Sequence, residues 1–174
     1  MAHPDIRLTG VERSFDSDEI IVSKTDTKGI ITYANRTFLK VASYAENELV
    51  GQSHNIIRHP EMPRCIFKYL WDTISIGKEV FAYVINLAKN GDHYWVYAHV
   101  TPSFGENGKV IGYHSSRRVP KAGPLAEIKK LYPVLLAEEQ RHSSPKEGLD
   151  TSMKMVLSLL NKKGVDYDQF IHCL

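Results

Sequence analysis

The sequence predicts an α+β fold: a five-stranded antiparallel sheet with short helices on one face, followed by C-terminal amphipathic helices. Three observations predict it. Two β-rich runs come early and three come late, with helical segments between the two groups. Parallel crossovers would need a helix between every pair of strands, and none is available there. After the last strand the apolar spacing changes from two to three and four, the period of helices.

Residues 20–24 and 30–33 flank Thr25-Asp-Thr-Lys-Gly29, whose turn chemistry makes them a hairpin. Asn35 can cap a helix over residues 36–43, because its side-chain oxygen can satisfy an orphan N–H. Residues 45–50 give another helical turn, stopped by Gly51. Pro63 opens a longer helix in which Ile66, Phe67, Leu70, Trp71 and Ile74 share one face, and Gly77 ends it. Residues 79–88 and 93–104 read as strands joined by Lys89-Asn-Gly-Asp92, and Gly105-Glu-Asn-Gly108 turns the chain into a last strand at 110–119.

The expected domains are an N-terminal cap over residues 1–18, loosely held, a sheet domain over 19–119, and a helical extension over 120–174. Residues 120–123 read as a linker. The stripe Leu125, Ile128, Leu131, Tyr132 and Leu135 follows, with Pro133 expected to kink or restart its helix. Ser144-Pro-Lys-Glu147 has the form of a capping box ahead of Leu149, Met153, Val156, Leu157 and Leu160, and Lys162-Lys-Gly164 supplies the stop. These helices are expected to pack on the sheet or on a second subunit.

Composition narrows the function. An apolar fraction of 43% supports one core in a chain of 174 residues. A net charge of +2 leaves no basic stripe to neutralise phosphates, so nucleic-acid binding is not expected. Cys65 and Cys173 form no paired cluster, which argues against disulfide and zinc frameworks. The N-terminus lacks a secretory pattern, and no window has the roughly 18 apolar residues of a membrane span, so a cytoplasmic protein is expected. Neither a nucleophile triad, nor paired carboxylates, nor metal-ligand spacing stands out. No catalytic or metal site is expected, and the chain is read as a non-enzyme.

Two strings carry a resemblance: Asn55-Ile-Ile-Arg-His-Pro-Glu-Met-Pro63 and Lys89-Asn-Gly-Asp-His-Tyr-Trp-Val96. With the order of elements, they make residues 20–118 resemble a PAS domain of the aerotaxis-receptor (Aer) type, more weakly continued into residues 128–132. The resemblance implies FAD held non-covalently, with a redox state that reports oxygen or electron transport. The family usually has Asp where this chain has Glu61. Its receptors also continue into membrane helices and a coiled-coil signalling domain, which these 174 residues do not include.

The resemblance places Arg58 and His59 at the cofactor mouth, where the donor fork of an Arg suits a pyrophosphate. The alternative is a surface loop. Trp71 and Phe67 are read either as walls against the cofactor or as ordinary core. Asn86 is out of character in a strand; flavin-binding PAS and light-oxygen-voltage (LOV) domains place an Asn there, while the alternative turns it to solvent. His114 falls where LOV domains carry a flavin-sensing Gln, or is simply a hydrogen-bonded sheet histidine. Asn35 is a helix cap that also lies near the pocket by family position. On residues 93–104, alternation separates Trp95, Tyr97 and His99 from Tyr94, Val96, Ala98 and Val100, and the Val96/Ala98 face is expected to meet the ring. The cysteine slot of LOV photochemistry holds His54, so adduct-forming photoreception is not expected.

The leading expectation is a soluble redox sensor with FAD, forming a homodimer and signalling to a downstream protein. The alternatives are a haem-based gas sensor, with His54, His59 or His114 as axial ligand, and a cofactor-free interaction module.

Overall fold

Local turn chemistry sets the sheet. The Asp26 carboxylate accepts from the backbone N–H groups of Lys28 (2.8 Å) and Ile30 (2.9 Å), closing the hairpin of β2 (Ile21–Thr25) and β3 (Ile31–Ala34). A second hairpin joins β4 (Val80–Leu87) to β5 (His93–Phe104), with Leu87 facing His93 and Val80 facing Val100. Gly91 turns it at φ +92°; a side chain there would meet the Arg7 carbonyl oxygen at 2.0 Å, so only glycine fits. β6 (Val110–Arg118) then pairs antiparallel with both β5 and β2.

The computed structural model describes residues 6–174, and their contacts fall into two units. One takes the chain up to His59 together with Thr73–Pro120; the other takes Pro60–Asp72 with Lys121–Leu174.

In the first unit the strands run in the order β4, β5, β6, β2, β3, all antiparallel, as the sequence predicts. A sixth strand, β1 (Glu12–Arg13), pairs parallel with the start of β5. This part of the expected loose cap is held firmly. Arg13 donates to Asp92 (2.8 Å), the Val41 carbonyl (2.9 Å) and Ser43 (2.5 Å), while Thr9 donates to Asp92 (2.6 Å). These contacts hold the Asp92 carboxyl down at about 2, the hydrogen bonds from Thr9 and Arg13 contributing most. Residues 1–5 of the expected cap lie outside the described residues.

Short helices cover one face of the sheet. In α1 (Arg36–Ala42), Asn35 caps the Phe38 N–H at 3.0 Å, and Phe38, Val41 and Ala42 are buried. α2 (Glu46–Leu49) and a 3-10 turn (His54–Ile57) follow.

In the second unit, the first turns of α3 (Arg64–Ser75) associate with α4 (Ala122–Gln140), α5 (Pro145–Lys163) and α6 (Tyr167–Cys173). α4 runs through Pro133 without the restart that was one of the two expectations: Ile128, Tyr132 and Leu135 on either side are buried, while Pro133 is exposed. The buried stripe of α5 is Gly148, Ser152, Val156 and Leu160, whereas Leu157 of the expected stripe is exposed; Gly148 lets α4 and α5 approach closely. A Cβ at Gly148 would meet the Glu139 carbonyl oxygen at 2.3 Å. The Glu139 carboxylate accepts from the N–H groups of Arg64 (3.0 Å) and Cys65 (2.9 Å) and from the Ser152 hydroxyl (3.1 Å). It thus caps α3 from another helix. α6 had no counterpart in the sequence reading, although Asp166 and Gln169 form its capping box.

Candidate cofactor site

Register decides which side chains share the covered face. Directly opposed residues on antiparallel strands lie on the same side, and alternate residues follow them. Asn86 opposes Tyr94, Val84 opposes Val96, Ala82 opposes Ala98, and Ala98 opposes Arg117. Arg117 in turn opposes Ile21, which is in phase with Ser23. Asn86, Tyr94, Val96, Ala98, Arg117 and Ser23 therefore share one face, and all are buried. This is the Val96/Ala98 face expected for a ring.

The polar groups on it are unusual. Arg117 is 2% exposed, and its Nη2 donates to Ser23 Oγ at 2.5 Å. Its guanidinium carbon lies 4.3 Å over the Phe38 ring, and none of the ion pairs among the described residues involves it. Burial pulls its pKa down to about 10, opposed by Tyr94, so it stays charged at neutral pH. Its Nε and Nη1, the Asn86 amide nitrogen and the Tyr94 hydroxyl have no hydrogen-bond partner among the described residues. Burial also raises the Tyr94 phenol, keeping it a donor. Unpaired buried donors are costly, so a cluster of them on one face marks a site for an acceptor-bearing ligand.

His54 stands at the rim of this cluster. Its Nε2 is 3.3 Å from Ser23 Oγ, and its ring stacks on Phe38 at 6.1 Å. Desolvation, and then the Arg117 charge, push its pKa down to about 3 against a backbone hydrogen bond, so it is neutral.

The remaining candidates are distributed as follows. Arg58, half-buried, ends the 3-10 turn and forms an isolated antiparallel bridge with Asn86, which brings it beside the pocket strand. His59 is buried with its ring 5.6 Å from that of His93, a residue whose alternation turns it away from the Asn86–Tyr94 face. Asn35 caps α1 and also accepts from Val22 N–H (3.0 Å) and donates to the Ile20 carbonyl (2.7 Å), so its amide is spent on tying α1 to β2. His114 opposes Lys24 and Thr101, on the face opposite Asn86; the reading that gave it a flavin-sensing place is corrected by this parity. Phe67 and Trp71, both half-buried, stand on the part of α3 that belongs to the helical unit. Arg117 and Ser23 were missed, and Tyr94, placed on this face by alternation, was not singled out as a donor. The sequence signal was a single one: Arg117 falls in phase with Tyr113 along β6.

The donor set suits a flat heterocycle with carbonyl acceptors, such as a flavin. Haem fits less well: of its three candidate ligands, His114 faces away, His59 meets His93, and His54 is engaged by Ser23. Among the described residues, no group of three or more His, Cys, Asp or Glu is placed to hold a metal ion.

Comparison with known proteins agrees with this geometry. Residues 31–117 match the model of the PAS fold, and the chain belongs to that family. Its sequence is 42% identical over 120 residues to the aerotaxis receptor of Escherichia coli (strain K12), covering 69% of this chain and 24% of the receptor. It is 28% identical over 116 residues to the nitrogen fixation regulatory protein of Klebsiella pneumoniae, covering 67% of this chain and 23% of that protein. The chain thus spans about a quarter of the length of these relatives. In fold, it is similar to the light state of the blue-light photoreceptor Aureochrome1 LOV. That match has a TM-score of 0.54 at 22% identity and covers 70% of this chain and 91% of that one. No helix among the described residues is long and apolar enough to cross a membrane.

Proposed function

We propose that this chain is a redox- or energy-sensing PAS domain that holds FAD non-covalently and passes a conformational change to a signalling partner in an aerotaxis-like role. The observation that carries the reading is the cluster of buried donors without acceptors, on Asn86, Tyr94 and Arg117, along one covered sheet face. The name of the similar aerotaxis receptor supports the sensory role, and the LOV neighbours support the fold.

A bound flavin supplies reversible redox chemistry and a ring edge with carbonyl acceptors. The chain's residues supply the rest. Asn86 and Tyr94 donate from adjacent strands, and Arg117 adds a charged donor that cannot lose its proton at neutral pH. Val96 and Ala98 keep the face low enough for a planar ring. Arg58, bridged to Asn86 through the backbone, is the candidate for the anionic tail of the proposed FAD. His59 is kept with it by its place in the same string. The sensor acts in the cytoplasm as a homodimer, and its function is signalling rather than catalysis.

An absorbance spectrum of freshly purified protein, followed by chromatography of the cofactor released on denaturation, tests this. Flavin bands and released FAD are expected. Protein that stays colourless after incubation in saturating FAD would overturn the reading.

A further inference from the structure

Ser23 is 1% exposed and already accepts from Arg117 Nη2 at 2.5 Å. Its hydroxyl has one proton to give, and burial makes an idle hydroxyl proton costly. The acceptor in place for it is His54 Nε2, at 3.3 Å. Donation from Arg117 through Ser23 to His54 requires an unprotonated Nε2, with the ring proton on Nδ1. Phe38 closes the arrangement, with the guanidinium 4.3 Å above its ring and the His54 ring stacked on it. The hydroxyl that meets Arg117 thus takes its orientation from His54.

We infer that His54 is a positioning residue for Arg117: acting through Ser23, it holds the guanidinium so that Nε and Nη1 remain available to an acceptor-bearing ring. The inference rests on the flavin reading for the identity of that ring, and on geometry alone for the relay. The neutrality of His54, with its pKa at about 3, is consistent with an acceptor's role beside a buried cation.

Two variants separate positioning from space filling. His54→Gln keeps an acceptor but loses the ring, whereas His54→Phe keeps the ring and its stacking but loses the acceptor. Each is titrated with FAD by quenching of flavin fluorescence, with circular dichroism to establish folding. The loss of one oriented charged donor corresponds to roughly tenfold weaker binding. Positioning predicts that loss in His54→Phe and near-native affinity in His54→Gln. Native affinity in His54→Phe, or equal loss in both variants, overturns it.

Nitrogen-15 NMR of the ligand-free protein reads the relay without any flavin. An unprotonated Nε2 on His54 is expected, and a protonated Nε2 overturns the inference. If the wild-type protein binds no flavin, the functional reading falls, and the tautomer alone decides the relay.

Discussion

Asn86 on β4 and Tyr94 on β5 oppose each other directly across the sheet, 3% and 0% exposed, and neither the amide nitrogen nor the hydroxyl has a hydrogen-bond partner among the described residues. Each sits in a strand that could have carried an aliphatic residue there, as the neighbouring pair Val84 and Val96 does. The pair gives up stability in the ligand-free state and gains donors for a ligand.

Replacing Asn86 by Leu separates those two effects. Removing a buried, unpartnered amide leaves thermal stability unchanged or raises it, because an apolar residue of similar shape has nothing to satisfy. FAD affinity falls by roughly tenfold, the equivalent of one hydrogen bond. Thermal melts and a flavin titration measure the two quantities; a large loss of stability in the ligand-free variant would contradict the assignment.

Arg117→Met extends the argument to a charge. The buried guanidinium has one hydroxyl partner and an aromatic face but no carboxylate. Its replacement is expected to leave the ligand-free protein as stable or more stable, because an apolar side chain takes the place of a buried cation without a carboxylate. Urea unfolding checks this, and flavin binding is expected to be lost in the same variant.

Acid sensitivity follows from His54. Its folded pKa of about 3 lies below its ordinary value of 6.5, so the unfolded chain takes up a proton that the native site resists. The contribution is fully present above about pH 6.5 and is lost as pH falls toward about 3, by up to about 1.4 kcal/mol per pH unit. The difference in stability between wild type and His54→Gln, followed from neutral to acid pH, is expected to shrink through that window. A difference independent of pH would contradict the neutral assignment.

Glu139→Ala tests the helical unit by itself. It leaves the N–H groups of Arg64 and Cys65 without their acceptor and is expected to cost about 2–3 kcal/mol. Burial pushes the Cys65 thiol up to about 12, so it is inert in the native protein. Faster labelling of Cys65 by a thiol reagent in Glu139→Ala is the accompanying signal.

Much of the fold was legible because its signals are local. Turn residues at Asp26 and Gly91, period-two runs and the Asn35 cap each act over a few positions, and all five antiparallel strands lie where those signals put them. What was missed depends on partners far along the chain. β1 is a strand because Arg13 reaches Asp92, Val41 and Ser43, none of them visible from residues 12 and 13. Pro133 sits inside α4 because flanking residues bury their side chains, overriding its local preference. The site shows the same division. Asn86 betrayed itself by being polar in an apolar strand. Arg117 did not, since a charge near a strand end reads as solvent-facing until its pairing with Ala98 and Ile21 is known. His114 erred by one position of parity, enough to move it to the other face.

The most direct test is a calorimetric titration of FAD into ligand-free wild-type protein, Asn86→Leu and Arg117→Met, all verified as folded. Saturable binding with one flavin per chain in the wild type, weakened in the first variant and abolished in the second, is the predicted result. Binding that ignores both substitutions, or no binding in the wild type, would contradict a flavin pocket built on Asn86, Tyr94 and Arg117.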